Sequence, residues 1–140
     1  MTRLATWGLG ILLLLGLLFL AYYLYQTYLT NPRVIRDLKE NPASERADLV
    51  MLVALPSGRN LPVNYLRKGN KVYAGADGSW WRELRGAGAP VILYIKGQEF
   101  AAKGQAVEDD EALTDHIFAE LRPTAPRWVG AVLVEFSIDD

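Results

Sequence analysis

Leu61-Pro62-Val63-Asn64-Tyr65-Leu66-Arg67, Lys68-Gly69-Asn70 and Lys71-Val72-Tyr73-Ala74-Gly75-Ala76, read in succession, decide the fold. Two runs rich in β-branched and aromatic residues, separated by a short loop holding a glycine, predict a β-hairpin. Pro62 has no N–H to give to a ladder, so its strand is expected at a sheet edge or irregular at that point. Working outward, Leu49-Val50-Met51-Leu52-Val53-Ala54-Leu55, bounded by Pro56-Ser57-Gly58, predicts a short buried strand. On the other side, Asp77-Gly78-Ser79-Trp80-Trp81-Arg82-Glu83-Leu84-Arg85-Gly86 predicts a turn and one or two helical turns. Asp77 or Ser79 is suited to cap it and Gly86 to stop it. A second hairpin is predicted from Val91–Ile95 and Phe100–Val107, joined across Lys96-Gly97-Gln98-Glu99.

Asp109 and Asp110 suit the positive end of a helix running to about Leu121, with Leu113, Ile117 and Leu121 on one face. Val132, Val134, Phe136 and Ile138 then alternate with Leu133, Glu135 and Ser137, the period of a strand with one inward face. About six strands with hairpin connections predict a small, mainly antiparallel barrel, closed or nearly so, because closure hides edges that a small open sheet would expose.

The N-terminal stretch has a different character. No charge occurs from Leu4 to Leu29. Trp7 to Tyr25 as a helix covers roughly 28 Å, against a hydrocarbon core of about 30 Å. Trp7 marks one end and Tyr22, Tyr23, Tyr25 and Tyr28 the other, as amphipathic rings do at headgroup depth. A cleaved secretory signal would have a shorter apolar part and small residues at a cleavage site, whereas tyrosines follow here. The expected organisation is a transmembrane anchor over 1–29, a juxtamembrane connector over 30–47 and a β-barrel domain over 48–140. Within the connector, Asn31-Pro32 starts a short helix and Asn41-Pro42 ends it. Arg33, Arg36, Lys39 and Arg46 outnumber Arg3 across the span, which predicts a single-pass cell-membrane protein with its domain on the cytoplasmic side. Gly10 and Gly16 are not at the four-residue step of helix dimerisation.

Composition narrows the chemistry. Lys and Arg number 15 and Asp and Glu 16; setting aside Arg3 leaves the soluble part at 14 − 16 = −2, with no nucleic-acid footprint. The chain has no cysteine, so neither disulfides nor thiol chemistry is available. His116 is the single histidine, which excludes a zinc site built from His and Cys and any histidine-dependent triad that does not use it. Its helical neighbours Leu113 and Ile117 predict a partly buried surface residue. Asp109-Asp110-Glu111 reads as a helix-start cluster, and no metal site is expected.

The order of motifs resembles the deazaflavin-dependent nitroreductase-like proteins, a branch of the split β-barrel flavin-binding fold. The resemblance is carried by Ser57-Gly58-Arg59-Asn60-Leu61-Pro62-Val63-Asn64-Tyr65, Arg67-Lys68-Gly69-Asn70, Ala76-Asp77-Gly78, Trp80-Trp81-Arg82-Glu83-Leu84 and Val91–Gly97. It implies a split barrel that binds a deazaflavin or FMN. Arg59 and neighbouring backbone groups would meet the phosphate. Pro62, Val63 and Asn64 would line the cofactor along an edge strand; Ala76, Asp77 and Gly78 would approach it closely; Trp80 and Trp81 would wall it. Being adjacent, the two tryptophans cannot face the same way, so one belongs in the core.

No acid or base is implied as catalytic, since hydride transfer belongs mainly to the cofactor. The resemblance also implies pairing of two barrels as a homodimer, and with the anchor it implies reduction of a small or lipophilic acceptor such as a quinone. The chain departs from the family pattern in the short loop Leu55–Asn60 and in acidic Asp77, which would repel an anionic tail. It departs also in the tyrosine-free Arg122–Trp128 segment, where Trp128 is left to cover the substrate face. The alternative expectation is a barrel without cofactor, acting as an accessory or interaction subunit for a membrane-protein partner.

Overall fold

The structure, a computed structural model, describes residues 2–26, 31–124 and 131–139. It divides into two compact units, residues 1–36 and 37–140. The first contains helix α1 (Arg3–Tyr25), none of whose residues is buried. With a mean hydropathy of 2.3 in its most apolar stretch, it is long and apolar enough to cross a membrane. Tyr28 and the segment from Ala125 to Trp128 lie outside the described residues.

Helix α2 (Asn31–Glu40) starts at Asn31-Pro32 and stops before Asn41-Pro42, as the connector sequence predicts. The Asp37 carboxylate ties its last turn to the next segment, accepting from Asn41 Nδ2 and from Arg46 Nη1, each at 2.9 Å. Next comes an element that the apolar pattern does not predict, α3 (Glu45–Leu49), whose cap Ser44 accepts from the Ala47 N–H at 3.2 Å. Leu49 therefore ends a helix and stays 65% exposed, where the sequence predicts a buried strand residue. The local cap outweighs the apolar run.

Strands β1 (Val50–Ala54), β2 (Asn60–Lys68), β3 (Lys71–Ala76), β4 (Ala89–Ile95), β5 (Gln98–Val107) and β6 (Val132–Ile138) close an antiparallel barrel in the order β1-β2-β3-β6-β5-β4. Closure is made by β1 and β4, with Leu52 opposite Tyr94 and Ala54 opposite Ile92. Both predicted hairpins are present, turning at Gly69-Asn70 and Lys96-Gly97. Inward residues of the strands supply the core, which includes Met51, Val53, Val72, Leu93, Val134 and Phe136. Burial of each contributes roughly 1.5–3 kcal/mol.

The short helix between the hairpins is a 3-10 helix, Trp80–Leu84. Trp80 and Leu84 point from it into the barrel core. Gly104 makes room for this plug, since a Cβ there would meet Leu84 at 3.0 Å and Phe136 at 3.1 Å. Neither expected cap operates: Ser79 makes no side-chain cap bond, and the Asp77 carboxylate is engaged by Arg122.

Helix α4 (Glu111–Leu121) begins where Asp110 accepts from the Leu113 N–H at 3.0 Å. It covers the outside of the barrel, where Ile117 and Phe118 form a second core with Tyr73 and Leu133. Thus β6 buries residues on both faces at that point, not on the inward face alone. His116 is well exposed on the other side of the helix, 3.3 Å from Glu120.

Candidate cofactor site at the split in the barrel

Strand β2 changes partner along its length. Asn60–Asn64 pairs with β1, and Tyr65–Lys68 pairs with β3. The β3 register ends at Tyr65–Ala74, so Asn60–Val63 has β1 and no β3 residue opposite it in the register. The barrel is split there.

Ladder alternation fixes which groups face the split. The Leu55 N–H donates to the Arg59 oxygen at 2.9 Å, making that a hydrogen-bonded pair. Stepping along the register makes Ala54–Asn60, Leu52–Pro62 and Val50–Asn64 non-hydrogen-bonded pairs. The backbone polar groups of Asn60 and Pro62 therefore point away from β1, towards the split, and those of Asn64 face Gly75. The missing N–H of Pro62 falls where no ladder bond is required, which is how a proline fits inside a continuous strand. In β3, the two-residue turn makes Lys68–Lys71 a hydrogen-bonded pair, so Gly75 turns its N–H and C=O towards Asn64 at the inner end of the split.

Arg122 stands on the Gly75 side. Its Nη1 and Nη2 donate to the Asp77 carboxylate at 2.9 and 2.8 Å, and Nη2 makes a longer contact of 3.4 Å with the Gly75 oxygen. The guanidinium lies 5.3 Å from the centre of the Phe118 ring, and the side chain is 18% exposed. A Cβ on Gly75 would come within 2.9 Å of Arg122 Nη2 and of Phe118, so glycine is what lets the guanidinium lie there. In the sequence, Arg122 stands out only as part of a segment lacking tyrosine. Nothing local signals its role, because its partner is 45 residues away.

On the β2 side, a groove of about 390 Å3 is lined by Arg46, Leu49, Val50, Asn64, Tyr65 and Leu121. A second groove of about 400 Å3 continues past Leu49, Tyr65 and Leu121 to Arg67 and Lys96. The charges around these grooves are paired: Arg46 with Asp37, Lys96 with Asp48 at 2.7 Å, and Lys68 with Glu120 at 2.9 Å. The hydrogen bond from Lys68 holds the Glu120 carboxyl below its ordinary range. The Tyr65 hydroxyl donates to the Ala47 oxygen at 3.1 Å, and burial pushes its pKa up.

The structure sorts the sequence-predicted residues into three places. Ala76 and Trp80 are buried in the barrel core, and Val63 is partly buried against it, so their side chains serve packing. Pro62 and Asn64 lie along the split, with Asn64 exposed. Arg59, Asp77, Gly78 and Trp81 belong to the loops and the plug. The turn carrying Arg59 is fixed to the plug by Ser57, whose N–H and hydroxyl donate to the Glu83 carboxylate at 3.1 and 3.0 Å. Trp81 is half-buried, with Arg82 and Arg85 at 5.7 and 5.3 Å from its ring. Asp77 is not a bare negative charge, because Arg122 neutralises it. Arg59 is exposed and has no hydrogen bond or ion pair from its side chain among the described residues. Few backbone donors surround it: the Leu55, Ser57 and Gly58 N–H groups are all engaged, and Pro56 has none.

Among solved structures, this arrangement is similar to a Listeria innocua protein provisionally named a pyridoxamine 5'-phosphate oxidase. The TM-score is 0.56 at 12% identity, with 68% of this chain and 89% of the other covered. The fold is a split β-barrel. No protein-family model matches the chain, and no curated protein matches it by sequence. The likeness carries the barrel and does not single out the nitroreductase-like branch.

Proposed function

We propose that the split barrel binds a flavin-type cofactor, FMN or a deazaflavin, and reduces a small or lipophilic acceptor at the membrane. One observation carries this reading: β2 presents a strand edge with no β3 partner over Asn60–Val63, beside a groove of about 390 Å3, in a fold shared with a protein provisionally named as an oxidase. When bound, a flavin supplies the hydride chemistry.

The residues fit such a group. The strand-edge N–H and C=O of Asn60, with the Pro62 carbonyl, match the mixed donors and acceptors along one edge of a flavin ring. Leu49, Val50 and Leu121 supply apolar wall, and an arginine at the rim of the split would take the phosphate. Trp81, with its flanking arginines, would close the mouth. Buried Ala76 and Trp80 would act through the backbone and by setting the barrel's end, while Val63 holds β2 in register. Asp77 and Gly78 would border the cofactor. The protein's part is then to orient the ring, exclude water and hold the acceptor against it.

An α1 anchor keeps the domain within tens of Å of the bilayer and raises its encounters with a lipid-dissolved acceptor such as a quinone. Positive charges after the span favour a cytoplasmic domain.

A second reading is a cofactor-free barrel serving a membrane-protein partner or pairing as a homodimer. It is favoured by the turn around Arg59, where the Leu55, Ser57 and Gly58 N–H groups are already engaged. Titrating the detergent-solubilised full chain with FMN and with reduced deazaflavin, followed by visible absorbance, separates the two. Saturable binding is expected; absence of binding by either cofactor would establish the second reading instead.

A further inference from the structure

Arg122 is a shielded cation, 18% exposed, at the Gly75 end of β3 that borders the split. Arg122 lies over the bare Cα of Gly75 beside the Phe118 ring, and two of its nitrogens donate to Asp77. Asp77 itself is 52% exposed. The pair is therefore asymmetric: the guanidinium is held by the fold, while the half-exposed carboxylate can turn out into water once another anion takes its place. Charge-assisted, two-pronged contacts of this kind are the ones arginine makes equally to carboxylates and phosphates.

Resting on the flavin reading above, we infer that Arg122 is the residue that recognises the cofactor's phosphate, and that Asp77 occupies the phosphate's place until the cofactor displaces it. Arg59 is then peripheral. It is exposed, and the Leu55, Ser57 and Gly58 N–H groups beside it are engaged. A preorganised guanidinium loses less freedom on binding than a solvated one. Competition also assigns a role to the acidic residue in a turn where an anion would otherwise be repelled: Arg122 cancels Asp77's charge when the site is empty, and Asp77 keeps Arg122 from being buried unpaired.

A phosphate site differs from a purely structural ion pair in the sign of two substitutions. In a structural pair, Asp77→Asn and Arg122→Gln both weaken the protein and neither discriminates between ligands. In a phosphate site with an internal competitor, the two act oppositely on phosphate-bearing ligand.

The experiment compares riboflavin with FMN, which differ by the phosphate, using quenching of flavin fluorescence by the full chain in detergent. Wild-type protein is expected to bind FMN about tenfold or more tighter than riboflavin. Arg122→Gln should bring the two ligands to within about threefold, with riboflavin affinity retained. Asp77→Asn should widen the FMN advantage, and Arg59→Ala should leave it within about twofold of wild type. Thermal melts of each variant check folding, and Asp77→Asn provides an independent arm should Arg122→Gln not fold. Equal binding of both flavins by wild type, a narrowed FMN advantage in Asp77→Asn, or its loss in Arg59→Ala would overturn the inference and leave the flavin reading standing. Binding of neither flavin would overturn both.

Discussion

Gly75 shows how much a single missing side chain can organise. Its absence of a Cβ opens the outer face of β3 to Arg122 and Phe118, both of which would meet a methyl at 2.9 Å. Gly75→Ala is expected to destabilise the domain by about 1–3 kcal/mol, because packed neighbours must shift to admit the methyl. Urea unfolding measures this, and an unchanged midpoint would show that Arg122 is not seated as described. Tyr65 and Tyr73 give a second test. Burial raises the pKa of both above the ordinary 10.0, and for Tyr73 the neighbouring Glu135 raises it further. A hydroxyl whose folded pKa is raised contributes stability that is complete below its unfolded pKa and lost as pH rises through the folded value. Wild-type stability should therefore fall as pH climbs past about 10, and the fall should be shallower in a Tyr65→Phe, Tyr73→Phe variant. Parallel curves for the two proteins would refute the assignment.

Elements differ in how far the sequence reveals them. The two hairpins, α2, α4 and β6 follow from apolar period and capping residues, which act within a few positions of one another. Helix α3 is hidden because Ser44 caps a segment whose apolar end resembles the start of a strand. Pro62 announces an irregular β2, yet the nature of the irregularity depends on β3 turning away at Gly75, which no local pattern encodes. The site obeys the same rule. Trp80 and Trp81 divide between core and rim as adjacency requires, whereas the Arg122–Asp77 pair is visible only in three dimensions.

At the same scale, the proposed role of α1 predicts that Leu13→Arg with Leu14→Arg abolishes membrane insertion. Each arginine near a helix centre costs about 2.5–3.5 kcal/mol on the insertion scale. Alkaline extraction of membranes should find wild type in the pellet and the variant in the supernatant; equal partitioning of the two would show that α1 is not an anchor.

Taken as a whole, the domain is a barrel that stays closed along most of its circumference and parts at one place, between the first half of β2 and the end of β3. Closure elsewhere gives the rigidity a binding site needs, since the walls of the split are held by a continuous core on the inside and by α4 on the outside. The opening brings the free edge of β2 beside a groove walled by Leu49, Val50 and Leu121. Fold alone does not assign an activity, so the deciding question is whether a ligand uses that opening. The most direct measurement is amide hydrogen exchange of the full chain with and without FMN. Added protection confined to the peptides covering Asn60–Asn64 and Gly75–Gly78 is predicted. Protection centred instead on the Lys96-Gly97 hairpin, or none anywhere at saturating FMN, would contradict it.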